Sequence, residues 1–79
     1  MKAYERLLRL SGHNLVVFYA EESIAVEYED AEVTDGVFRK GIYGTGETFE
    51  QACEDYIEKI TGKTLVFGYG DKRKEVIVI

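Results

Sequence analysis

The 79-residue sequence contains no proline and no tryptophan, and it has one cysteine, one histidine and one methionine. One cysteine cannot form an internal disulfide, which fits a protein of the reducing cytoplasm. One histidine excludes a His–His metal site, and His13 lies far along the chain from Cys53, so there is no Cys–His pair at short spacing. No apolar run reaches the roughly 18 residues that a membrane-spanning helix needs. We therefore expect neither a membrane segment nor, from the charged start of the chain, a signal peptide.

What is present fits one folded domain spanning residues 1–79. Hydrophobic residues make up 46% of the chain, which is too many for a disordered segment. A chain this short buries only about 60% of the surface that its unfolded form exposes. Efficient use of its apolar residues, or a binding partner, must therefore support its stability.

The net charge of −5 is unevenly distributed along the sequence. Residues 21–37 contain seven acids and no base, whereas most of the bases lie in the first helix, near residue 40 and at residues 72–74. Nucleic-acid binding needs clustered lysine and arginine, so this distribution makes it an unexpected activity. The acidic stretch instead favours a basic partner protein. The candidate docking residues are Glu27, Glu29, Asp30, Glu32 and Asp35.

Two segments have the apolar periodicity of amphipathic helices. The first covers residues 2–11, and Gly12 is placed to end it. The second begins at a capping box formed by Thr48 and Gln51 and ends at Gly62. Its single apolar stripe consists of Phe49, Ala52, Cys53, Tyr56, Ile57 and Ile60.

The remaining segments have the patterns of strands. The run at 15–20 is apolar throughout, which predicts a central strand, and residues 24–29 alternate as in a half-exposed strand. The other predicted strands are a segment at 31–33 joined by an Asp-Gly turn to 37–43, then 64–67 and 75–79. The order α-β-β-β-α-β-β predicts an α+β two-layer sandwich. It would have a mainly antiparallel sheet of about five strands, with both helices on one face.

The stretch GIYGTGETFEQA, residues 41–52, raises the possibility of a phosphate-binding loop. Gly41 and Gly46 have the outer spacing of a Walker loop, but Glu47 stands where that loop needs lysine. The free amides of the following helix are satisfied by its own capping residues. We therefore interpret the glycines as the end of a strand and the entry to a helix.

No residue pattern indicates catalysis or a cofactor. Cys53 lies on the apolar stripe of the second helix, so we expect it to be buried and structural. Glu27 and Glu29 share one strand face and offer carboxylates to a sugar or a divalent cation, but spacing fixes no third ligand. We expect a protein that is not an enzyme and that has no cofactor and no metal.

The segment Gly46-Glu47-Thr48-Phe49-Glu50-Gln51-Ala52 resembles the strand-to-helix junction of HicB-type antitoxins. That family carries a G-(D/E)-T-x-x-E-A signature, in which Gln51 here replaces the usual glutamate. The resemblance implies a β-β-β-α-β module related to half of a ribonuclease-H-like domain. Relative to that family we expect a leading helix here, and we expect no room in these 79 residues for the DNA-binding segment of many such antitoxins. The sequence from Gly44 to Phe67 is also similar to short uncharacterised proteins of bacteriophages and prophages.

These observations predict a non-catalytic, phage- or prophage-related binding module in the bacterial cytoplasm. The expected partner is a basic protein, such as a nucleic-acid enzyme or a toxin. The alternative is a structural homo-oligomer, such as a homodimer, that pairs through an edge strand. The segment Glu75–Ile79 suggests it, because this segment is apolar on both faces.

Overall fold

A computed structural model of the chain describes residues 2–79, and within them it contains two helices and seven strands in antiparallel sheets. This confirms the α+β class and, broadly, the predicted order of elements. The elements are α1 (Ala3–Ser11), β1 (Leu15–Tyr19), β2 (Ile24–Tyr28), β3 (Ala31–Thr34), β4 (Arg39–Lys40), β5 (Gly44–Gly46), α2 (Phe49–Ile60), β6 (Thr64–Phe67), a 3-10 turn (Gly70–Lys72) and β7 (Lys74–Ile77).

The strands form two small sheets rather than one sheet of about five strands. The first has the order β1-β2-β5, and the second has the order β4-β3-β6-β7. The chain passes from one sheet to the other at Glu29 and Asp30, and Asp30 has the positive backbone angle φ of 59°. Asparagine and aspartate tolerate this region better than most residues. Because β2 and β3 pair with different strands, this two-residue turn joins two sheets.

The helix ends follow the capping chemistry that the sequence predicts. Gly12 ends α1 in the left-handed region at φ 69°, and Gly62 follows α2 with φ 81°. At the start of α2, the Gln51 backbone N–H donates to Thr48 Oγ1 at 3.1 Å. The Gln51 side chain accepts from the N–H of Glu47, one residue before the position expected for a capping box. Neither helix in the described chain has the length and apolar character of a membrane span.

The expectation that residues 15–20 form a central strand is wrong, because β1 is an edge strand that pairs with β2 alone among the described strands. Leu15 and Val17 pack against the core, while Phe18 and Tyr19 are 51% and 80% exposed. No other strand of residues 2–79 covers this edge. The apolar run therefore contributes exposed surface as well as core.

The strand expected over residues 37–43 is also wrong in its extent. Its start is a loop in which the carboxylate of Asp35 accepts the N–H groups of Val37 and Phe38 at 2.9 and 3.0 Å. Those donors are therefore not available to a strand ladder. The segment forms the two-residue β4, and pairing resumes only at β5, which joins the first sheet.

The core lies between the two helices and the inner faces of both sheets. At its centre, the fully buried Tyr28 and Tyr56 meet edge to face with ring centroids 5.6 Å apart. The Tyr56 hydroxyl accepts the N–H of Tyr28 at 3.1 Å, and the Tyr28 hydroxyl donates to the carbonyl of Leu7 at 2.5 Å. Both buried hydroxyls are thus hydrogen-bonded, as buried polar groups require. Through them, β2 is tied to both helices.

The glycines of β5 allow α2 to lie directly on the strand. A β-carbon at Gly44 would come within 2.5 Å of the Tyr56 backbone nitrogen and would also overlap the Ala52 carbonyl oxygen. At Gly46 it would lie 2.7 Å from the Ala52 nitrogen. These residues therefore provide close helix–strand packing, which answers the question that the glycine-rich stretch raises.

Candidate protein-docking surface

Glu27 lies on the outer face of the first sheet, away from α2. Its neighbours Val26 and Tyr28 are fully buried on the inner face, and alternation along β2 places Glu27 on the other side. Across the strand pair it faces Val16 of β1, and Phe18 projects from the same outer face. Glu27 is thus a half-buried carboxylate beside an exposed aromatic ring.

Glu29 and Asp30 are exposed in the turn between the sheets and border one open cleft with a volume of about 540 Å³. In this cleft His13 stacks on Phe67, with ring centroids 3.8 Å apart and planes 8° from parallel. His13 is therefore half-buried against the second sheet. Two bases line the same cleft, Lys72 of the 3-10 turn and Lys74 of β7.

Glu32 lies on the outer face of the second sheet and is already paired within the chain. Its Oε1 lies 3.1 Å from Arg39 Nη2, an ion-pair distance at which the geometry does not meet that of a hydrogen bond. The Tyr69 hydroxyl donates to the same oxygen at 3.2 Å. The Arg39 guanidinium stacks 4.3 Å above the Tyr69 ring and donates to the Gly68 carbonyl at 3.1 Å. Val66, which pairs with Glu32 across β3 and β6, is fully buried on this outer face.

Asp35 lies in the β3–β4 loop, where its carboxylate organises the backbone. The hydrogen bonds from the N–H groups of Phe38 and Val37 hold the pKa of Asp35 below its usual value. Its contacts are therefore those of a loop-forming residue.

The five acidic residues of the sequence-based docking set are thus distributed over two sheets, a turn and a loop. Glu29 and Asp30 lie together at one cleft. Glu32 and Asp35 make specific contacts within the chain. Glu27, Glu29 and Asp30 have no such side-chain partner among the hydrogen bonds and ion pairs found in residues 2–79. These three residues and the adjoining edge of the first sheet are named here the acidic edge.

Sequence reasoning missed an apolar groove that runs between α1 and β1 at this edge. Tyr4 and Leu8 project into it from α1 and are 40% and 42% exposed. Phe49 of α2 contacts Tyr4, with ring centroids 5.2 Å apart. Glu29 lies in the wall of the groove. The signal in the sequence is that α1 has more apolar positions than one buried stripe requires, since Ala3 and Leu7 are buried whereas Tyr4, Leu8 and Leu10 are exposed.

The side chains that could act as a nucleophile or as metal ligands do not form a reactive site in residues 2–79. Cys53 is fully buried, as its place on the apolar stripe predicts. Burial, with the nearby carboxylates of Glu50 and Glu54, raises the pKa of Cys53 from 9.0 to about 11. This opposes formation of the reactive thiolate. Among residues 2–79, no three His, Cys, Asp or Glu side chains are grouped so as to hold a metal ion.

No protein-family model matches the chain, and comparisons with curated proteins and with solved structures also give no significant match.

Proposed function

We propose that this chain is a small, non-catalytic protein-binding module that docks on a basic partner protein through its acidic edge. The observation that carries the proposal is that Glu29 and Asp30 are exposed in the turn next to the first sheet, whose edge strand β1 is uncovered among the described strands and carries the exposed rings of Phe18 and Tyr19. Glu27 lies on the outer face of the adjoining strand β2. Exposed aromatic groups supply much of the binding energy in protein interfaces, and charge complementarity selects the partner and speeds association. The net charge of −5 adds a long-range attraction for a basic protein.

The resemblance around Gly46–Ala52 supports a HicB-like, phage- or prophage-related role in a bacterial cytoplasm. In that role the partner is a basic toxin or another nucleic-acid enzyme. Glu32 and Asp35, which belong to the sequence-based docking set, contribute negative charge near the partner. Their contacts within the chain make them weaker candidates for direct contact.

The test is capture of a partner from a bacterial host lysate at about 50 mM and about 300 mM salt, a span over which exposed charge–charge contacts weaken. The test variant neutralises the acidic edge with Glu27→Gln, Glu29→Gln and Asp30→Asn. A matched control neutralises three acids elsewhere, with Glu54→Gln, Glu58→Gln and Asp71→Asn. We expect a protein that is retained at low salt by the wild type and the control but lost by the test variant. Equal capture by both variants would contradict the proposal.

A second candidate, a homo-oligomer that pairs through an edge strand, is favoured by the geometry of β7. This strand is the outer strand of the second sheet. Val78 exchanges hydrogen bonds with Gly62 and Lys63, so by alternation the backbone groups of Glu75 and Ile77 face away from β6. Ile77 is 72% exposed.

Light scattering over a wide concentration range tests this alternative. A dimer mass that Ile77→Lys reduces to the monomer mass would support it. A monomer mass at every concentration would rule it out.

A further inference from the structure

The free edge of β1 presents unpaired backbone groups in a regular row. Glu29 N–H donates to the Asn14 carbonyl and Ala20 N–H donates to the Ser23 carbonyl, both at 2.9 Å. Even-numbered residues of β1 therefore face β2. By the alternation of an antiparallel ladder, the N–H and C=O groups of Leu15, Val17 and Tyr19 point away from the sheet. In the part of the chain that the structure describes, β1 has no strand on that side.

The apolar groove lies alongside this edge, on the inner side of the sheet. Its volume is about 660 Å³, and it lies between α1 and β1. A strand added next to β1 would point alternate side chains to the inner face, into the groove and towards Leu8 and Phe49. A backbone edge together with pockets for alternate side chains is the arrangement by which sheets bind extended peptides.

The charge around the groove selects the kind of peptide. Among the described residues that line the groove, Glu29 is the only charged one. At the other end of β1, Tyr19 is followed by the exposed acids Glu21 and Glu22. A peptide with lysine or arginine would be favoured at both ends. A second copy of β1 would be disfavoured, because antiparallel pairing of two such edges brings the acidic end of each near Glu29 of the other.

We propose that β1 binds an extended, basic segment of a partner protein as an added antiparallel strand, with apolar side chains of that segment in the groove. This inference rests on the proposed docking function and specifies how the partner is held. The antiparallel orientation follows the other strand pairs of the protein, and antiparallel pairing is slightly more stable per residue than parallel pairing.

The probe is a fluorescein-labelled peptide of seven residues that alternates lysine and valine, with both ends blocked. In the proposed geometry the valines point into the groove, and their amides bond to β1. Methylating the valine amides therefore removes the bonding donors, whereas methylating the lysine amides leaves them in place. A peptide that alternates glutamate and valine controls for charge.

We expect the lysine–valine peptide to bind, and the valine-methylated form and the glutamate–valine peptide to bind at least about tenfold more weakly. The lysine-methylated form should bind like the parent. Failure of the parent peptide to bind better than the glutamate–valine peptide would overturn strand addition. Equal binding of the two methylated forms would do so as well.

Variants of the protein test the same edge from the other side. Tyr19→Pro removes an N–H that points away from β2, and Tyr19→Thr is the matched control that keeps it. We expect about tenfold weaker binding for the proline variant alone. In the groove, Leu8→Gln should weaken binding, and Leu10→Gln, elsewhere on α1, should not. Circular dichroism checks the fold of each variant, and the methylated peptides decide the question if Tyr19→Pro does not fold.

The two proposals fail in different ways. Suppose that a captured partner is lost on neutralising the acidic edge but is retained equally by Tyr19→Pro and Tyr19→Thr. Docking would then stand, and strand addition would be wrong. If the variant with a neutralised acidic edge captures the partner as well as the wild type does, the docking proposal would be wrong.

Discussion

Replacing Gly44 by alanine tests the close packing of α2 on β5. The added β-carbon would lie 2.5 Å from both the nitrogen and the β-carbon of Tyr56, and real β-carbon contacts essentially never fall below 3.0 Å. The atoms it meets include the helix backbone, which cannot rotate away as a flexible side chain would. Gly41 provides the matched control, because a β-carbon there has nothing within 4 Å and its φ lies outside the left-handed region.

The expected changes in the free energy of unfolding have opposite signs at Gly44 and Gly41. At Gly44 overpacking costs about 3 kcal/mol, the upper end of its usual range, because backbone must shift. Alanine also lowers the conformational entropy of the unfolded chain, which stabilises the folded state by roughly 0.4–1 kcal/mol. The net loss of unfolding free energy is therefore about 2 kcal/mol. For a domain of this size that lowers Tm by roughly 8–16 °C. At Gly41 only the unfolded-state term remains, and stability should rise by about 0.5 kcal/mol.

Urea denaturation of Gly44→Ala, Gly41→Ala and the wild type, followed by circular dichroism, measures both effects. The midpoints should move in opposite directions while the slope stays unchanged, since both variants unfold the same surface. Equal midpoints for Gly44→Ala and the wild type would refute the packing argument. A destabilised Gly41→Ala would refute the choice of control.

Further predictions concern buried and partly buried groups. Burial raises the pKa of Cys53 from 9.0 to about 11 and that of Tyr56 from 10.0 to about 12, so both groups stabilise the fold below about pH 9. Stability should fall as pH rises from 9 to 12, measured as urea midpoints, and Cys53→Ala should remove part of that slope. The thiol should react with a thiol reagent at full rate only in urea. Glu50 Oε1 accepts the Ala3 N–H at 2.6 Å at the start of α1. Glu50→Gln should therefore lower the unfolding free energy by about 0.5–1 kcal/mol, and unchanged stability would contradict this. Tyr28→Phe should cost about 0.5–1.5 kcal/mol, because it removes the buried hydrogen bond from the Tyr28 hydroxyl to the Leu7 carbonyl, and a neutral effect would contradict that bond.

The helices could be predicted closely because their signals are local. The Thr48 cap, the stripe of α2 and the terminal glycines Gly12 and Gly62 each act within one or two turns of chain. Hairpin β1–β2 was predictable for the same reason. Local signals do not indicate which strand lies at the edge of a sheet. The apolar run of β1 therefore predicted a central strand, although β1 is an edge strand and lines the groove.

The candidate site could be predicted only in part. The sequence shows which residues are acidic. It does not show that the Glu32 carboxylate contacts Arg39 and Tyr69, or that the Asp35 carboxylate accepts backbone hydrogen bonds. Those contacts depend on the packing of segments far apart in the chain. The groove depends on the placement of α1 relative to β1, with the Tyr4 ring tilted against that of Phe49. The spacing of residues within α1 alone could suggest surplus apolar surface, but not its place.

The strand pairing described above also has a consequence for the order of folding. Tyr19 pairs with Ile24 across a short loop, whereas Thr34 of β3 pairs with Thr64 of β6 across an intervening stretch of chain that contains β4, β5 and α2. A local hairpin forms in about 1–10 μs, and non-local pairing is slower because loop closure must precede it. We therefore expect the open side of β1 to form before the second sheet is complete. A partner that adds a strand there would engage the nascent chain, and a stray strand would compete for the same edge before folding is complete.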